Sequence, residues 1–441
     1  MSRSQQQSRR TFLRNTTVAA AVGVASPYVI PSGLLAAEGR LGPNDQIGVA
    51  GIGIGRQGSG VFRNAAGSKH TRAVAVADAN IKRAGAMGTA MSIEPYQDYR
   101  KLLERKDIDA ITTATPDHWR ALVSIHSCQA GKDVYAEKPM TLTIREGRLM
   151  TEAVRKYGRV LQAGSQQRSN AANRYGCELV RNGRIGKVHT VIGANYPSPW
   201  ECALPEQPVP QGIDWDLWCG PNEVVPFNND LYSPRAKPGW ISFRSYSGGE
   251  MTGWGAHGLD QIQWALGMDE SGPVEVWTEG DDFDAPTYTE PEGRGRGEKA
   301  CNSPMIFYRY ANGVTLKLDN GNPAGGIFIG DQGKIEIFRG RVTSNPAELV
   351  KEPIKDDEIH LYESGNHMEN WLECIKSRKR PIADVEIGHR SSTVCHLGNI
   401  ARWVGRRLQW DPVKEIFPND KEANTYLDRP RRKPYQLPEV I

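Results

Sequence analysis

Two short stretches carry side chains suited to proton chemistry. In "VYAEKPM", Glu137, Lys138 and Pro139 close an apolar run of strand character. A lysine at a strand's carboxyl end can carry a proton or stand as a positive charge beside a developing alkoxide. A surface ion pair beside the strand end is the plainer use of the same residue. In "GGEMTGWGAHGLD", residues 248 to 260, His257 stands among five glycines and leads into a periodic segment. Leu259, Ile262, Ala265 and Leu266 form a helical stripe there, and Gly267 ends it. Near a first helical turn the positive end of the dipole disfavours imidazolium, so a neutral ring able to take a proton is expected. Asp260, three residues on, either orients that ring or caps the helix. A histidine alone is more often structural.

A third stretch suits a dinucleotide. "QIGVAGIGIGRQGSG" holds two overlapping glycine triplets. Taking Gly53, Gly55 and Gly58 leaves a normal strand before the motif, with Gly51 inside it, and a helix after it. That spacing permits a tight turn and close approach of a pyrophosphate to the helix N-terminus. Asp78 ends the next strand 20 residues past Gly58. Its carboxylate suits an adenosine ribose and repels a 2'-phosphate, which favours NAD over NADP. A helix cap is its other possible use, and Lys82 and Arg83 nearby leave NADP open.

These groups need a frame. From Asp45 onward strands ("QIGVAGI", "TRAVAVAD", "DAITTAT", "DVYAEKP", "RVLQAGSQQR") alternate with helices ("RQGSGVFRNAAG", "DYRKLLERK", "HWRALVSIHSCQAGK", "REGRLMTEAVRKYG"). The alternation predicts an α/β fold with a parallel, doubly wound sheet over 45–168. From residue 169 to 410 the texture changes to an α+β domain. One helix, "NRYGCELVRNGRIG", precedes long strands and Pro/Trp-rich loops, implying a large open, mostly antiparallel sheet. "TEGDDFDAPTYTEPEGRGRGEKA" reads as an exposed loop. Two amphipathic helices, "HMENWLECIKSRK" and "HRSSTVCHLGNIARWVGRRL", follow and pack back in part on the first domain. A charged tail, 411–441, closes the chain.

"TATPDHW" with "AGKDVYAEKPMT" resembles the Gfo/Idh/MocA oxidoreductase family, which includes glucose-fructose oxidoreductase and inositol dehydrogenases. "GSQQR", "GGEMTGWGAHGLDQIQWALG" and "CIKSRKRPIADVEIGHRSS" extend the resemblance from about residue 45 to about 410. It implies an N-terminal NAD(P)-binding Rossmann domain and a C-terminal domain whose open sheet mediates a homo-oligomer, dimer or tetramer. It implies Lys138 and His257 as the catalytic pair acting on a sugar or polyol. It places Gly53, Gly55, Arg56, Gln57, Gly58, Asp78, Thr115, Pro116, His118, Glu137 and Lys138 around the cofactor. Gln167, Arg168, Tyr246, Trp254 and Asp260 are the candidates for the substrate side, Tyr246 and Trp254 as stacking surfaces or as core. Two positions depart from the family. The aspartate of its D-x-x-x-H motif falls on Gly253, and Arg120 stands where relatives commonly carry a second histidine.

The formal charge of +4 over 441 residues is localised. With Arg3, Arg9, Arg10 and Arg14 set aside, the 55 basic and 51 acidic side chains balance, and no basic stripe points to nucleic acid. Those arginines lie in "SRRTFLRNTTVAAAVGVAS", read as a Tat signal over 1–37 with cleavage near Ala37. It predicts a periplasmic protein or one tethered by an uncleaved signal. An exported enzyme meets no pool of free NAD, so its cofactor must stay bound and be recycled in place. That raises a redox-neutral glycosidase or lyase as an alternative to a net dehydrogenase, and a non-catalytic sugar-binding protein as a third. Seven cysteines (128, 177, 202, 219, 301, 374 and 395) form no C-x-x-C pair and read as buried thiols, with Cys202 and Cys219 able to pair. No metal-ligand spacing is present.

Overall fold

The computed structural model describes residues 45–233, 239–285, 287–290, 303–439 and 441. The expected signal segment and Cys301 lie outside them. The body is one compact unit, Ile47–Ile441. Among the described residues no helix is long and apolar enough to cross a membrane.

Six strands form an all-parallel sheet: β1 (Ile47–Ile52), β2 (Thr71–Ala77), β3 (Glu94–Tyr96), β4 (Ala110–Thr113), β5 (Asp133–Ala136) and β6 (Leu161–Ala163). Their spatial order is β3-β2-β1-β4-β5-β6. The order reverses between β1 and β4, which opens a crevice at the strands' carboxyl ends. Every residue of β1, "IGVAGI", is buried, as a strand covered on both faces requires. Three of the connecting helices, Ile81–Met91, Tyr99–Leu103 and Ile144–Lys156, start on side-chain caps. Asn80 accepts from the Arg83 N–H, and Thr143 forms a capping box with Glu146. One helix, Ile81–Met91, and the short β3 were not among the expected elements. "IKRAGAMGTAM" buries only Ala84, Met87 and Gly88, so its apolar period is faint. Gly88 is needed for contact, since a β-carbon there would stand 2.8 Å from the Ile93 carbonyl oxygen.

The second sheet has eight strands. Its members are β7 (Val188–Ala194), β9 (Glu275–Glu279), β11 (Met305–Arg309), β12 (Thr315–Asp319), β13 (Gly325–Gly330), β14 (Gly333–Phe338), β15 (Arg341–Asn345) and β16 (Leu408–Gln409). The order is β15-β14-β13-β7-β12-β11-β9-β16, antiparallel except where β12 meets β7. β8 (Glu201–Cys202) and β10 (Thr287–Tyr288) pair separately, so the expected 278–300 loop contains a strand. Register places Val276, Tyr308, Leu316, Val191, Phe328 and Ile335 in one cross-strand row. All six are fully buried. Helices Ala171–Arg181, Gly255–Leu266 and Val385–Val404 cover this face. Each large apolar side chain so buried contributes about 1.5–3 kcal/mol. The row on the opposite face, with Phe307, Lys317, Ile192 and Ile327, is only partly covered. "SPMIFYRYANGVTLKLDN" and "GIFIGDQGKIEIFRGRVTSN", expected as long strands, are folded at Asn312–Gly313, Asp331–Gln332 and Arg339–Gly340 into hairpins.

Two further regions lock the sheets together. An aromatic lobe, including Trp200, Trp215, Trp218, Phe227, Phe243 and Tyr246, docks on the first domain. There the Trp119 indole N–H donates to the Leu217 carbonyl at 3.0 Å. The tail is not a solvated appendage. Arg431 and Arg429 converge on buried Glu146, and Tyr435 packs edge-on against Trp119. Burial pushes the Glu146 carboxyl up, but the two arginines outweigh it and hold it below the usual range. Helix His367–Ser377 sends Met368, Trp371 and Leu372 into the core under β1. Cys128, Cys177, Cys219, Cys374 and Cys395 are buried thiols and Cys202 is partly buried; all six are free, so Cys202 and Cys219 do not pair.

Candidate functional site

A cleft of about 720 Å³ follows the crevice from Asp78 to Arg339. Its floor is the glycine turn after β1. Gly53 has φ +79°, and a β-carbon there would lie 2.8 Å from Thr115. At Gly58 a β-carbon would meet the Gly53 carbonyl oxygen at 1.9 Å, so this glycine lets helix Arg56–Ala66 close on the strand. Gly55 differs, because only the Arg83 guanidinium comes within 4.0 Å of the same added atom and the space opens to the cleft. Gly55 gives no side-chain cap and the first turn holds no acid. Its N–H groups face the cleft as an anion cradle. The three glycines therefore fit a dinucleotide pyrophosphate, with Arg56, Gln57, Thr115 and Pro116 on the rim.

At one end stands Asp78, nearly buried, with both oxygens 3.3 Å from Nη1 of Arg83. Burial raises its pKa, and Arg83 only partly offsets this. The Arg83 guanidinium also donates to the Tyr232 hydroxyl at 2.8 Å, and Asn80 donates to it at 3.1 Å. Tyr232 belongs to the aromatic lobe. The same lobe bonds Gly212 to the Ile81 N–H and Asp214 to the Ala79 carbonyl, so the second domain straps the Asp78 end of the crevice.

At the other end β5 runs into Glu137 and Lys138. Glu137 is buried and accepts from Gln57 and Gln166 at 3.2 and 2.9 Å. Nζ of Lys138 donates to the Gly253 carbonyl across the domain boundary at 3.2 Å. His257 lines the cleft one turn further on, its ring edge-on to Trp254 at 5.8 Å. Arg120, one of the two departures, is almost wholly buried. It donates to the backbone carbonyls of Thr115 and Pro139 and pairs with Asp117. It thereby ties the loop after β4 to the loop after β5. Asp117 also accepts from Ser247 at 2.7 Å; burial raises its pKa, which Arg120 opposes.

Gly253, the other departure, faces the end of the Glu250 side chain. A β-carbon on it would stand 2.9 Å from Oε2 of Glu250. A carboxylate one turn earlier thus occupies the space an aspartate at 253 would enter.

Several expected roles are corrected. His118 does not line the cleft; its Nε2 bonds the Trp218 carbonyl at 2.9 Å, it packs against Tyr246, and burial pushes its pKa down to about 3. Tyr246 is core, not a stacking platform. Asp260 does not orient His257. It receives Nε of Arg168 at 2.9 Å and Ser391 at 2.7 Å, all three buried. Arg168 also reaches Asp269, so it braces the second domain and is not a substrate donor. Gln167 stands behind Arg339, accepting from its Nε at 3.1 Å. His257 lies on no bare helix end either. Helix Glu250–Gly253 precedes it through Trp254 in αR conformation, and its N–H is bonded to the Trp254 carbonyl. The dipole effect expected there is accordingly spread over an earlier turn. Trp254 does line the cleft. Sequence reasoning missed Arg339, Tyr232, Trp240 and Glu250. Only Glu250 carried a local signal, as a carboxylate one helical turn before Gly253.

With this geometry in hand, two family models match. "Oxidoreductase family, NAD-binding Rossmann fold" covers residues 46–165, and "Oxidoreductase family, C-terminal alpha/beta domain" covers 184–437. The scyllo-inositol 2-dehydrogenase (NAD(+)) of Bacillus subtilis is 23% identical over 76% of this chain and 88% of its own. Inositol 2-dehydrogenases of Salmonella align over only 48% of their length. Among solved structures, aldose-aldose oxidoreductase from Caulobacter crescentus, complexed with glycerol, superposes with a TM-score of 0.58 at 19% identity, covering 82% of this chain and 99% of that one. The WlbA dehydrogenase from Bordetella pertussis, in complex with NADH and UDP-GlcNAcA, gives 0.58 at 19% identity over 83% and 99%. At that identity the likeness shows the fold.

Proposed function

The chain belongs to the Gfo/Idh/MocA oxidoreductase family, and from that premise we propose that it moves hydride between a firmly held NAD and a hydroxyl-bearing carbon of a sugar or polyol. When bound, the nicotinamide supplies the hydride acceptor or donor. The chain's own residues do the rest. Gly53, Gly55 and the first turn of helix Arg56–Ala66 hold the pyrophosphate, and Asp78 takes the ribose hydroxyls. Lys138 and His257 hold or move the proton of the reacting hydroxyl. The observation that carries the proposal is the 3.2 Å bond from Nζ of Lys138 to the Gly253 carbonyl. It sets an ammonium from the cofactor domain beside the helical turn that presents His257, at the end of the cleft away from Asp78. The names of the relatives, an NAD(+)-dependent inositol dehydrogenase and an aldose-aldose oxidoreductase, support the substrate class.

The strap of Gly212, Asp214 and Tyr232 over the ribose end favours a cofactor retained through turnover. A retained cofactor must regain its starting state on the enzyme. A second sugar, or the same sugar in a redox-neutral glycosidase or lyase cycle, would return the hydride. We read residues 1–37 as a Tat signal, and export in the folded state fits such retention. We assign the partly covered outer face of the eight-stranded sheet to contact with further copies, as a dimer or tetramer.

The test is to purify the protein, identify its nucleotide by absorbance and mass spectrometry, and offer sugars, polyols and aryl glycosides. Reduction of the bound cofactor by a sugar, lost in Lys138→Ala with the nucleotide still present, is the expected result. Aglycone release with no net reduction would establish the redox-neutral cycle. Sugar binding with an empty nucleotide site would overturn both.

A further inference from the structure

We infer that the sugar taken here carries an oxyanion substituent, carboxylate or phosphate, and that Arg339 grips it. The inference rests on the proposed sugar chemistry and names its substrate class. Away from Asp78, the described side chains lining the cleft include Lys138, Trp240, Ile241, Trp254, His257 and Arg339. The only charged groups among these six are cationic. The carboxylates lining the cleft are already engaged: Asp78 by Arg83, Asp117 by Arg120 and Ser247, and Glu137 by Gln57 and Gln166. Glu250 faces the back of Gly253, with Oε2 buried.

Arg339 is built into its position. It sits at the tip of the β14–β15 hairpin with φ +32°, followed by Gly340 at +81°. A two-residue turn with both centres at positive φ is ordinarily filled by Asn-Gly or Asp-Gly. An arginine in the left-handed region is strained, so its side chain needs a reason to be there. The side chain is also aimed. Nε donates to Gln167 at 3.1 Å, and the guanidinium lies 5.0 Å from the Trp254 ring, which also meets His257 edge-on. Among the described residues Arg339 makes no ion pair, and neither Nη has an acceptor. With Nε fixed and one face stacked, the two Nη form a fork of the kind that takes a carboxylate or phosphate bidentately. The shared indole puts that fork on the same side of the cleft as the proton-handling histidine.

The experiment uses the holoprotein with D-glucuronate, D-glucose 6-phosphate, D-glucose and myo-inositol. Binding is read by calorimetry and tryptophan quenching, and turnover by bound-NADH absorbance. Arg339→Asn preserves the turn, since asparagine suits that position, and removes the fork; Arg339→Lys keeps only the charge. An anionic sugar should bind more tightly than its neutral counterpart. In Arg339→Asn its Kd and KM should rise about 10- to 100-fold with kcat changed less than about threefold, and Arg339→Lys should fall between. Whichever anionic sugar shows this loss identifies the carboxylate or the phosphate as the group held. Equal affinity for neutral and anionic sugars, or an unchanged Kd in Arg339→Asn, sinks the inference while leaving hydride transfer intact. Arg339-dependent binding of an anionic sugar with no hydride transfer to any sugar would instead sink the oxidoreductase proposal and leave the anion site standing.

Discussion

Oε2 of Glu250 and the α-carbon of Gly253 share one space: a β-carbon on residue 253 would stand 2.9 Å from that oxygen and 3.4 Å from Ile241. Gly253→Asp should therefore destabilise the protein by about 1–3 kcal/mol through overpacking, with the repulsion of two carboxylates added. Glu250→Ala opens the space, and the double variant should recover more than half of that loss in urea unfolding. A double variant no more stable than Gly253→Asp alone would show that the two positions do not compete.

Much of the frame is legible in the sequence. β1, its glycine turn, Asp78 at the end of β2 and the E-K-P strand end follow from local pattern, because a parallel strand buried on both faces must be apolar throughout and a tight turn must be glycine. The residues that failed were those whose roles depend on the second domain. Arg168 and Asp260 are 92 positions apart and meet in a buried pair. His118 is turned away from the cleft by Trp218, 100 positions later. Arg339 reaches the site only because β14 and β15 are hydrogen-bonded in one register, which periodicity within either strand does not reveal.

Arg120 holds the floor of the cleft. Its guanidinium joins the Thr115 and Pro139 carbonyls and neutralises Asp117 in a buried setting. Arg120→Met should cost about 3–5 kcal/mol, because it strands a buried carboxylate. Arg120→Lys should cost less but still lower kcat, since an ammonium cannot span both carbonyls. Denaturant melts and turnover measured on the same preparations check both; a thermally neutral Arg120→Met would remove the clamp from the account.

Three buried histidines set an acid limit. Burial lowers His118 to about 3 and His367 and His396 to about 4, each from 6.5. Between these values and 6.5 the unfolded chain binds more protons than the folded one, so stability rises with pH across that window and is complete above it. Near pH 5 the three together give a slope of at most about 4 kcal/mol per pH unit. Asp78, Asp117 and Asp260, raised by burial, take up protons in the folded state and act against it. Urea unfolding at pH 5 to 6.5 should show the loss on acidification, and His118→Asn should reduce the slope by close to one proton. An unchanged slope in that variant would mean that His118 is charged in the native state.

The pairing of Asp78 with Arg83 makes nucleotide choice a switch between two neighbours. In the wild type the carboxylate proposed to take the ribose hydroxyls holds the guanidinium, which also donates to the Tyr232 hydroxyl. Asp78→Ala removes both the acceptors and the repulsion toward a 2'-phosphate, and frees Arg83 to meet that phosphate as a charge-assisted donor. NAD affinity should fall and NADP affinity rise, each by about tenfold, the size of one charged hydrogen bond. Asp78→Ala with Arg83→Ala should lose the NADP gain and leave NAD weak. Titrating both nucleotides into apoprotein, with tryptophan fluorescence as the signal, separates the cases: if NADP binds Asp78→Ala no better than wild type, Arg83 is held by Tyr232 alone and takes no part in selecting the cofactor.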